Sequence, residues 1–171
     1  MAGVSHLDEI VDFKRAIINA LASSPDVVGL LLDDPDVDME SDEAYAVREE
    51  NIFDYDYVDE TQTTAKSYVM VEVEVPSSGG TMKDLVIYVQ VVVHKSLMTL
   101  DTTKFKGVKG NRKDNLIRHI DLLLNNSREF GIGKLLPESV TLARVPVRFS
   151  STMLTYSCPN FSIDRKLVHR G

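Results

Sequence analysis

Residues 67–95, SYVMVEVEVPSSGGTMKDLVIYVQVVVHK, decide the fold of this chain. Two runs in this stretch, 68–75 and 85–93, consist mainly of β-branched and aromatic residues, which favour β-strands. Pro76 ends the first run, and the glycines within 77–81 provide a turn. The stretch therefore predicts a β-hairpin with a flexible tip.

Alternation along the first run assigns its two faces, because successive strand side chains point to opposite sides. One face carries Val69, Val71, Val73 and Val75, and the other carries Tyr68, Met70, Glu72 and Glu74. We expect the valine face to meet the core and the glutamate face to meet water or a partner. The second run is apolar on both faces except at Gln90 and His94, which is typical of a central strand or of one covered by a helix or another subunit.

Helices are predicted on both sides of the hairpin. Apolar residues recur at helical spacing over 5–22, with Ser5 as N-cap, and a short apolar helix starts at Pro25. A further helix is predicted over 111–125, capped by Asn111 with Asp114 at its third position. Strands follow at 140–149, where Pro146 indicates an edge or bulge, and at 153–157 and 161–163. This order predicts one α+β domain over 1–171, with a mainly antiparallel sheet built on the central hairpin and two main helices on one face.

The composition changes between residues 33 and 60, where acids dominate and Arg48 is the single basic residue. The segment predicts a long acidic loop or arm, followed after the hairpin by a basic loop, and the tail 164–171 is expected to be loose. Two interpretations of the acidic segment stay open. It is either a solvated, partly mobile loop or an interaction arm in which Phe53, Tyr55 and Tyr57 offer an aromatic face.

Composition narrows the class of protein. The chain has 171 residues and a net charge of −7, which argues against a general nucleic-acid-binding surface. One cysteine, Cys158, excludes an intrachain disulfide framework and a multi-cysteine zinc site. There is no apolar run of the roughly 18 residues that span a bilayer and no signal-peptide pattern. We expect a protein with no membrane partner that stays in a reducing, cytoplasm-like compartment or in a particle assembled there.

Motifs for chemistry are weak, and we expect no metal and no cofactor. The four histidines (His6, His94, His119 and His169) are not paired at metal-ligand spacing, and Cys158 has no nearby basic activator. One enzyme-like arrangement exists: Asp59 or Glu60, then Glu72 or Glu74, then Lys95, as in a metal-dependent nuclease. The acid and the lysine lack the spacing that such nucleases use, so a solvent-facing strand is the favoured interpretation of the glutamates.

Three stretches together carry a family resemblance: 52–63 leading into 68–76, then 83–95, then 112–125 with 130–133. The combination, over roughly residues 50 to 135, resembles tailed-bacteriophage and prophage neck proteins of the tail-terminator and head–tail-connector kind. The resemblance implies a non-enzymatic subunit of a homo-oligomeric ring, commonly a hexamer. Such a ring stops growth of the tail tube and joins the tail to the head connector.

The resemblance also implies a setting and partners. The ring would lie in the virion neck after assembly in the host bacterial cytoplasm, between the tail tube protein and a head-completion or connector protein. DNA would pass through without specific binding, which an acidic channel favours. Alternatives are a connector ring of the same neck, a nuclease-like enzyme, or a small acidic adaptor.

Charge and aromatic patterning supply the candidate subunit interface. Acidic 33–60 and basic 104–113 could meet between subunits, because complementary charges steer assembly. The candidate interface residues are Phe53, Tyr55, Tyr57, Glu72, Glu74, Lys104, Lys106 and Lys109.

Overall fold

The computed structural model describes residues 7–58, 61–76, 83–130 and 133–161. In this part of the chain the elements are α1 (Leu7–Ala22), α2 (Pro25–Leu32), α3 (Asp42–Glu50), β1 (Ile52–Phe53), β2 (Ser67–Glu74), β3 (Lys83–His94), a 3-10 helix (Lys95–Leu97), α4 (Arg112–Leu124), β4 (Leu136–Leu142) and β5 (Phe149–Phe161). The predicted α+β class is confirmed. The expected cap at Ser5, the hairpin tip 77–81 and the tail 164–171 lie outside the described residues.

One five-stranded sheet has the order β1-β2-β3-β5-β4. β1 runs parallel to β2, and every other neighbouring pair is antiparallel, so the predicted mainly antiparallel sheet is confirmed. The central hairpin pairs β2 with β3 from Ser67↔Val93 to Glu74↔Val86. β3 lies between β2 and β5, which agrees with its apolar character on both faces.

The helices share one core with one face of the sheet, which we call the helix side. Val69 and Val71 of β2 point to this side, as the alternation predicted, and both are fully buried. β3 and β5 add Leu85, Ile87, Val89, Val91, Val93, Leu154, Tyr156 and Cys158 to the same core. Tyr156 also donates a hydrogen bond from its hydroxyl to Asp121 of α4 (2.8 Å), and burial together with this bond raises the pKa of Tyr156. That bond fixes α4 over β5.

The prediction of an unbroken loop over 33–60 is wrong, because α3 and β1 lie within it. Ser41 caps α3 by accepting a hydrogen bond from the Ala44 N–H (3.2 Å). Only Ala44 and Val47 of this helix are buried, so the apolar periodicity is too short to detect in the sequence. Acids in the first turn and Arg48 in the last match the helix dipole, which favours this polar segment as a helix.

The prediction of one strand over 140–149 is also wrong. β4 ends at Leu142 and β5 begins at Phe149, so residues 143–148 connect two antiparallel strands. The Phe149 N–H donates to the Pro146 carbonyl (2.9 Å) in this connection. Pro146 cannot donate to a strand ladder, which is why it lies between the strands. The separate strands expected at 153–157 and 161–163 are parts of the single long β5.

No single helix in the described ranges is long and apolar enough to cross a membrane. Ile10–Ala22 with Pro25–Leu32 meets the length and composition test only as a pair, and that pair is bent by 74°.

Gly29 lets the chain reverse directly after α2. Asp33 adopts a left-handed conformation (φ 61°), and the N–H groups of Asp33 and Asp34 both donate to the Gly29 carbonyl. A Cβ atom added at Gly29 would lie 2.6 Å from the Asp34 carbonyl oxygen, which belongs to the backbone and cannot swing away. The end of α2 and the next connection therefore pack through this position.

We predict that Gly29→Ala lowers the free energy of unfolding by about 1–3 kcal/mol, because the added methyl group forces the backbone apart. Chemical denaturation monitored by circular dichroism would measure the change. Glycine-to-alanine substitution inside an unconstrained helix has the opposite sign, about 1 kcal/mol of stabilisation. A more stable variant would therefore contradict the close approach of Asp34.

Candidate interaction surface

The segment after β1 folds across the sheet face opposite the helices, which we call the second face. It covers one end of that face and forms a small separate core with Tyr68, Met70, Val92 and Phe149. Phe53 stacks on Tyr57 with ring centres 3.9 Å apart. The Tyr57 N–H donates to the Met70 sulfur (3.2 Å), which holds the segment against β2.

The aromatic contacts continue across three strands. Ring centres are 5.4 Å apart for Tyr57 and Tyr68, 6.2 Å for Tyr68 and Phe149, and 5.1 Å for Phe149 and His94. Burial raises the pKa of Tyr68, and the nearby Tyr57 adds to this. This row of rings is why Tyr68 and Met70, expected on a wet face, are buried.

Of the three side chains in the predicted aromatic face, one is buried and two are exposed. Phe53 is only 8% exposed and belongs to the core, so its assignment to an exposed arm is wrong. Tyr55 is 51% exposed and Tyr57 is 36% exposed. Asp54 and Asp56 lie beside them and are also exposed. The surface offered to a partner is therefore two tyrosines with two carboxylates.

A groove of about 350 Å³ adjoins this patch between α1, α3 and the segment after β1. Its lining includes Val11, Arg15 and Arg48 with Tyr55. The apolar and basic side chains next to the acidic patch make this end of the molecule chemically mixed.

Glu72 and Glu74 lie on the second face and are exposed, as the alternation predicted. Glu72 pairs with Lys14 of α1 (3.0 Å). Glu74 accepts a hydrogen bond from the Tyr88 hydroxyl (2.9 Å), and that bond raises the pKa of Tyr88. Both glutamates therefore have ordinary structural partners.

The nuclease-like set is not brought together in the part of the chain that is described. Asp59 and Glu60 lie outside it, and Lys95 begins the 3-10 helix at the far end of β3. Within residues 7–58, 61–76, 83–130 and 133–161, no three His, Cys, Asp or Glu side chains lie close enough to hold a metal ion.

The described histidines and the cysteine have local roles. His94 accepts the Ser96 N–H (3.3 Å) at the start of the 3-10 helix, and His119 lies 3.4 Å from Asp26. Cys158 is buried, which raises its thiol pKa despite the nearby Arg128, so it suits a core residue rather than a nucleophile. His6 and His169 lie outside the described residues.

The basic loop contacts the acidic segment of the same chain through Lys104 and Asp33. Lys104 Nζ lies 3.3 Å from the Asp33 carboxylate and also donates to the Asp33 carbonyl. Lys104 therefore has a partner within its own chain, and its place in a subunit interface stays a prediction. Lys106 and Lys109 are exposed and form no ion pair with the described side chains.

Arg112 is the third member of this ion cluster, with Lys104 and Asp33. Its guanidinium donates to the Leu97 carbonyl (2.7 Å), the Leu30 carbonyl (2.6 Å) and the Asp33 carboxylate, and its side chain is only 4% exposed. Partial burial raises the pKa of Asp33, but the hydrogen bonds and charges of Arg112 and Lys104 outweigh it. The pKa of Asp33 therefore lies below its usual value.

We predict that Asp33→Asn destabilises the protein at neutral pH and less so in acid. A carboxylate with a depressed pKa in the folded state stabilises it above the unfolded pKa of about 3.9, and this contribution is lost as pH falls through the folded pKa. The difference in melting temperature between the two proteins should therefore be constant from about pH 5 to 8 and shrink below about pH 4. Asparagine tolerates the left-handed backbone, so the variant tests the carboxylate and its bonds to Arg112 and Lys104, not backbone strain.

Asp36→Asn is the matched control for that experiment, because Asp36 is exposed on the same connection and forms no ion pair with the described residues. It should leave the pH profile unchanged. An equal deficit of Asp33→Asn at pH 3 and pH 7 would contradict the role of the Asp33 charge.

β4 is a surface that the candidate residues did not include. Residues 137–142 are all exposed, and β4 is the last strand of the sheet. Val140 is 65% exposed and Leu142 is 87% exposed. Pro146 indicated an edge position or a bulge in the sequence, and the edge position is confirmed by the sheet order. The sequence did not indicate that Val140 and Leu142 are exposed.

The model of the YomW family matches residues 17–158, which include the end of α1, all of α2 to α4 and β1 to β4, and most of β5. A search of curated proteins finds no match.

Proposed function

The chain belongs to the YomW family, and we propose that it is a structural subunit of a bacteriophage virion neck, most specifically a ring-forming tail terminator. The family name is associated with phages and prophages, which is consistent with a phage origin. The sequence resemblance to neck proteins, over roughly 50 to 135, lies within the matched range. The family match and the resemblance are both consistent with a phage origin, and the neck assignment rests on the resemblance.

The observation that carries the proposal is the exposed edge of β4. Pro137, Glu138 and a register shift protect the start of β4, but Val140 and Leu142 are exposed in its second half. An exposed apolar edge strand is a site of unwanted pairing in a protein that works alone. A subunit that is stored and used in an assembly covers such an edge with a neighbour. Val140 and Leu142 on this edge therefore favour a structural subunit over a monomeric adaptor.

The acidic residues on the second face support the proposal that DNA passes through the ring without binding to it. Glu72 and Glu74 are exposed on the second face. A surface of this sign repels phosphate, whereas clustered lysine and arginine would bind it strongly. The second face is therefore the side of the subunit that suits a DNA channel.

A head-completion or connector ring of the same neck is the alternative, because the same edge would serve in it. The tail-terminator and connector assignments differ in whether this protein ends the growth of the tail tube. A terminator ends tube growth, whereas a connector ring only joins a finished tail to the head.

We predict that deleting this gene from the phage or prophage that encodes it yields DNA-filled heads separated from tails, with tubes longer than normal. Electron microscopy of the lysate measures both features, and expression of the gene from a plasmid should restore intact particles. Separated tails of normal length would assign the connector ring instead. Intact infectious particles from the deletion would contradict a neck function.

A further inference from the structure

The outer edge of β4 has no strand beside it in the described structure. β4 pairs through its inner side with β5, from Leu136↔Ser157 to Leu142↔Thr152. The sheet order places nothing beyond it. Its outer N–H and C=O groups are available to a further strand, which would add to the sheet by main-chain hydrogen bonds.

An apolar shelf lies along this edge on the helix side. Val140 is opposite Leu154, and Leu142 is opposite Thr152, so both point to the side that carries the helices. The helices do not reach over them, since Val140 and Leu142 are 65% and 87% exposed. An added strand alone would leave this shelf uncovered, so the partner must bring a second layer.

The opposite edge of the sheet is only partly covered. β1 pairs with Val69 and Met70, so the rest of β2 extends past it. The Val69 N–H donates to the Asn51 carbonyl on this outer side (2.8 Å). Backbone groups alternate along a strand, so those of Val73 point to the same outer side. Residues 71–74 therefore form a second open edge, and α1 lies over it on the helix side.

The segments next to the two open edges carry opposite charges, whereas β4 itself contains one acid, Glu138, which accepts a hydrogen bond from the Ser157 hydroxyl. The connection after β4 contains Arg144 and Arg148, both exposed, and no acid. The segment beside the β2 edge contains Asp54 and Asp56, both exposed, and no base. Complementary charges of this kind orient two surfaces and set their register.

We propose that β4 of one copy of this chain pairs antiparallel with the open edge of β2 in a second copy, head to tail. The alternation of strand directions in the sheet continues across the junction, and the helix sides of both copies face the same way. α1 of the second copy then lies over the apolar shelf, with Val11, which is 49% exposed, nearest to it. Such an interface is heterologous and forms either a closed ring or an open filament.

An isologous pair of two β4 strands fits the charges less well. Full antiparallel overlap of β4 with itself places position 136 opposite 142, and thus Lys134 opposite Arg144 of the other copy. These are like charges, and the acidic edges would stay unused. The head-to-tail arrangement uses both edges and both signs of charge.

The ion pair between Lys14 and Glu72 guards the β2 edge in the isolated subunit. α1 lies on the helix side and Glu72 on the second face, so their contact (3.0 Å) passes around the outer side of β2. A lysine at an open edge is a common protection against unwanted pairing. Exposed ion pairs contribute little to stability, so this one can open when a strand is added.

The test uses two variants that each damage one edge. Leu142→Glu places an acid on β4, where it would face the acidic edge of the next copy. Asp54→Lys/Asp56→Lys reverses the charge beside the β2 edge. We expect each variant alone to associate about tenfold more weakly than the unchanged protein, measured by light scattering over a concentration series.

Mixing the two variants distinguishes the arrangements. Each variant retains the edge that the other has lost, and the new acid at position 142 of one faces the new lysines at 54 and 56 of the other. A one-to-one mixture should therefore associate more strongly than either variant alone. Leu122→Glu is the matched control, because Leu122 is 68% exposed on α4 and belongs to neither edge strand, and its substitution should change nothing. Unchanged melting temperatures would show that all three variants are folded.

Three outcomes would overturn the proposal. They are association of Leu142→Glu equal to that of the unchanged protein, association of the mixture no stronger than that of either variant alone, and an unchanged protein that stays monomeric up to about 1 mM. The closure of this interface into a ring rests on the proposed function. The pairing of β4 with β2 does not. Overlong, detached tails on gene deletion together with normal assembly of Leu142→Glu would preserve the neck function and reject this interface.

Discussion

Arg112 is the interaction on which the arrangement of the helix layer depends. Its buried guanidinium joins the end of α2, the 3-10 helix after β3 and the start of α4, through Leu30, Leu97 and Asp33. It also lies 5.9 Å from the centre of the Phe105 ring. A buried charge of this kind is tolerated only when its donors are satisfied, and loss of one partner costs about 3–5 kcal/mol. The helices are thereby held over β2, β3 and β5, and β4 is left beyond their reach.

The parts of the fold that the sequence predicts are those with a strong local signal. The valine alternation of β2, the apolar run of β3 and the capping box of Asn111 with Asp114 each specify one element without tertiary information. α3 was not predicted from the sequence, because its buried face has only Ala44 and Val47. The parallel pairing of β1 depends on two residues and on the distant strand β2, so no local pattern could reveal it.

The candidate surface was predicted less well, because exposure depends on how distant segments fold together. Phe53 alternates with acids as an exposed aromatic would, yet it is buried against Tyr68 across the sheet. Lys104 has the sign of an interface residue, yet it binds Asp33, 71 positions away in the same chain. Conversely, Val140 and Leu142 resemble core residues in sequence and become exposed only because β4 is the outermost strand. The two opposite, oppositely charged edges are visible only in three dimensions.

The central claim is that this subunit works in a closed ring. Light scattering on a size-exclusion column across a concentration series, with negative-stain images of the largest species, tests it most directly. The account predicts that mass rises with concentration to one discrete value and that the images show rings of uniform diameter. A monomer at every concentration, or filaments of unlimited length, would contradict it.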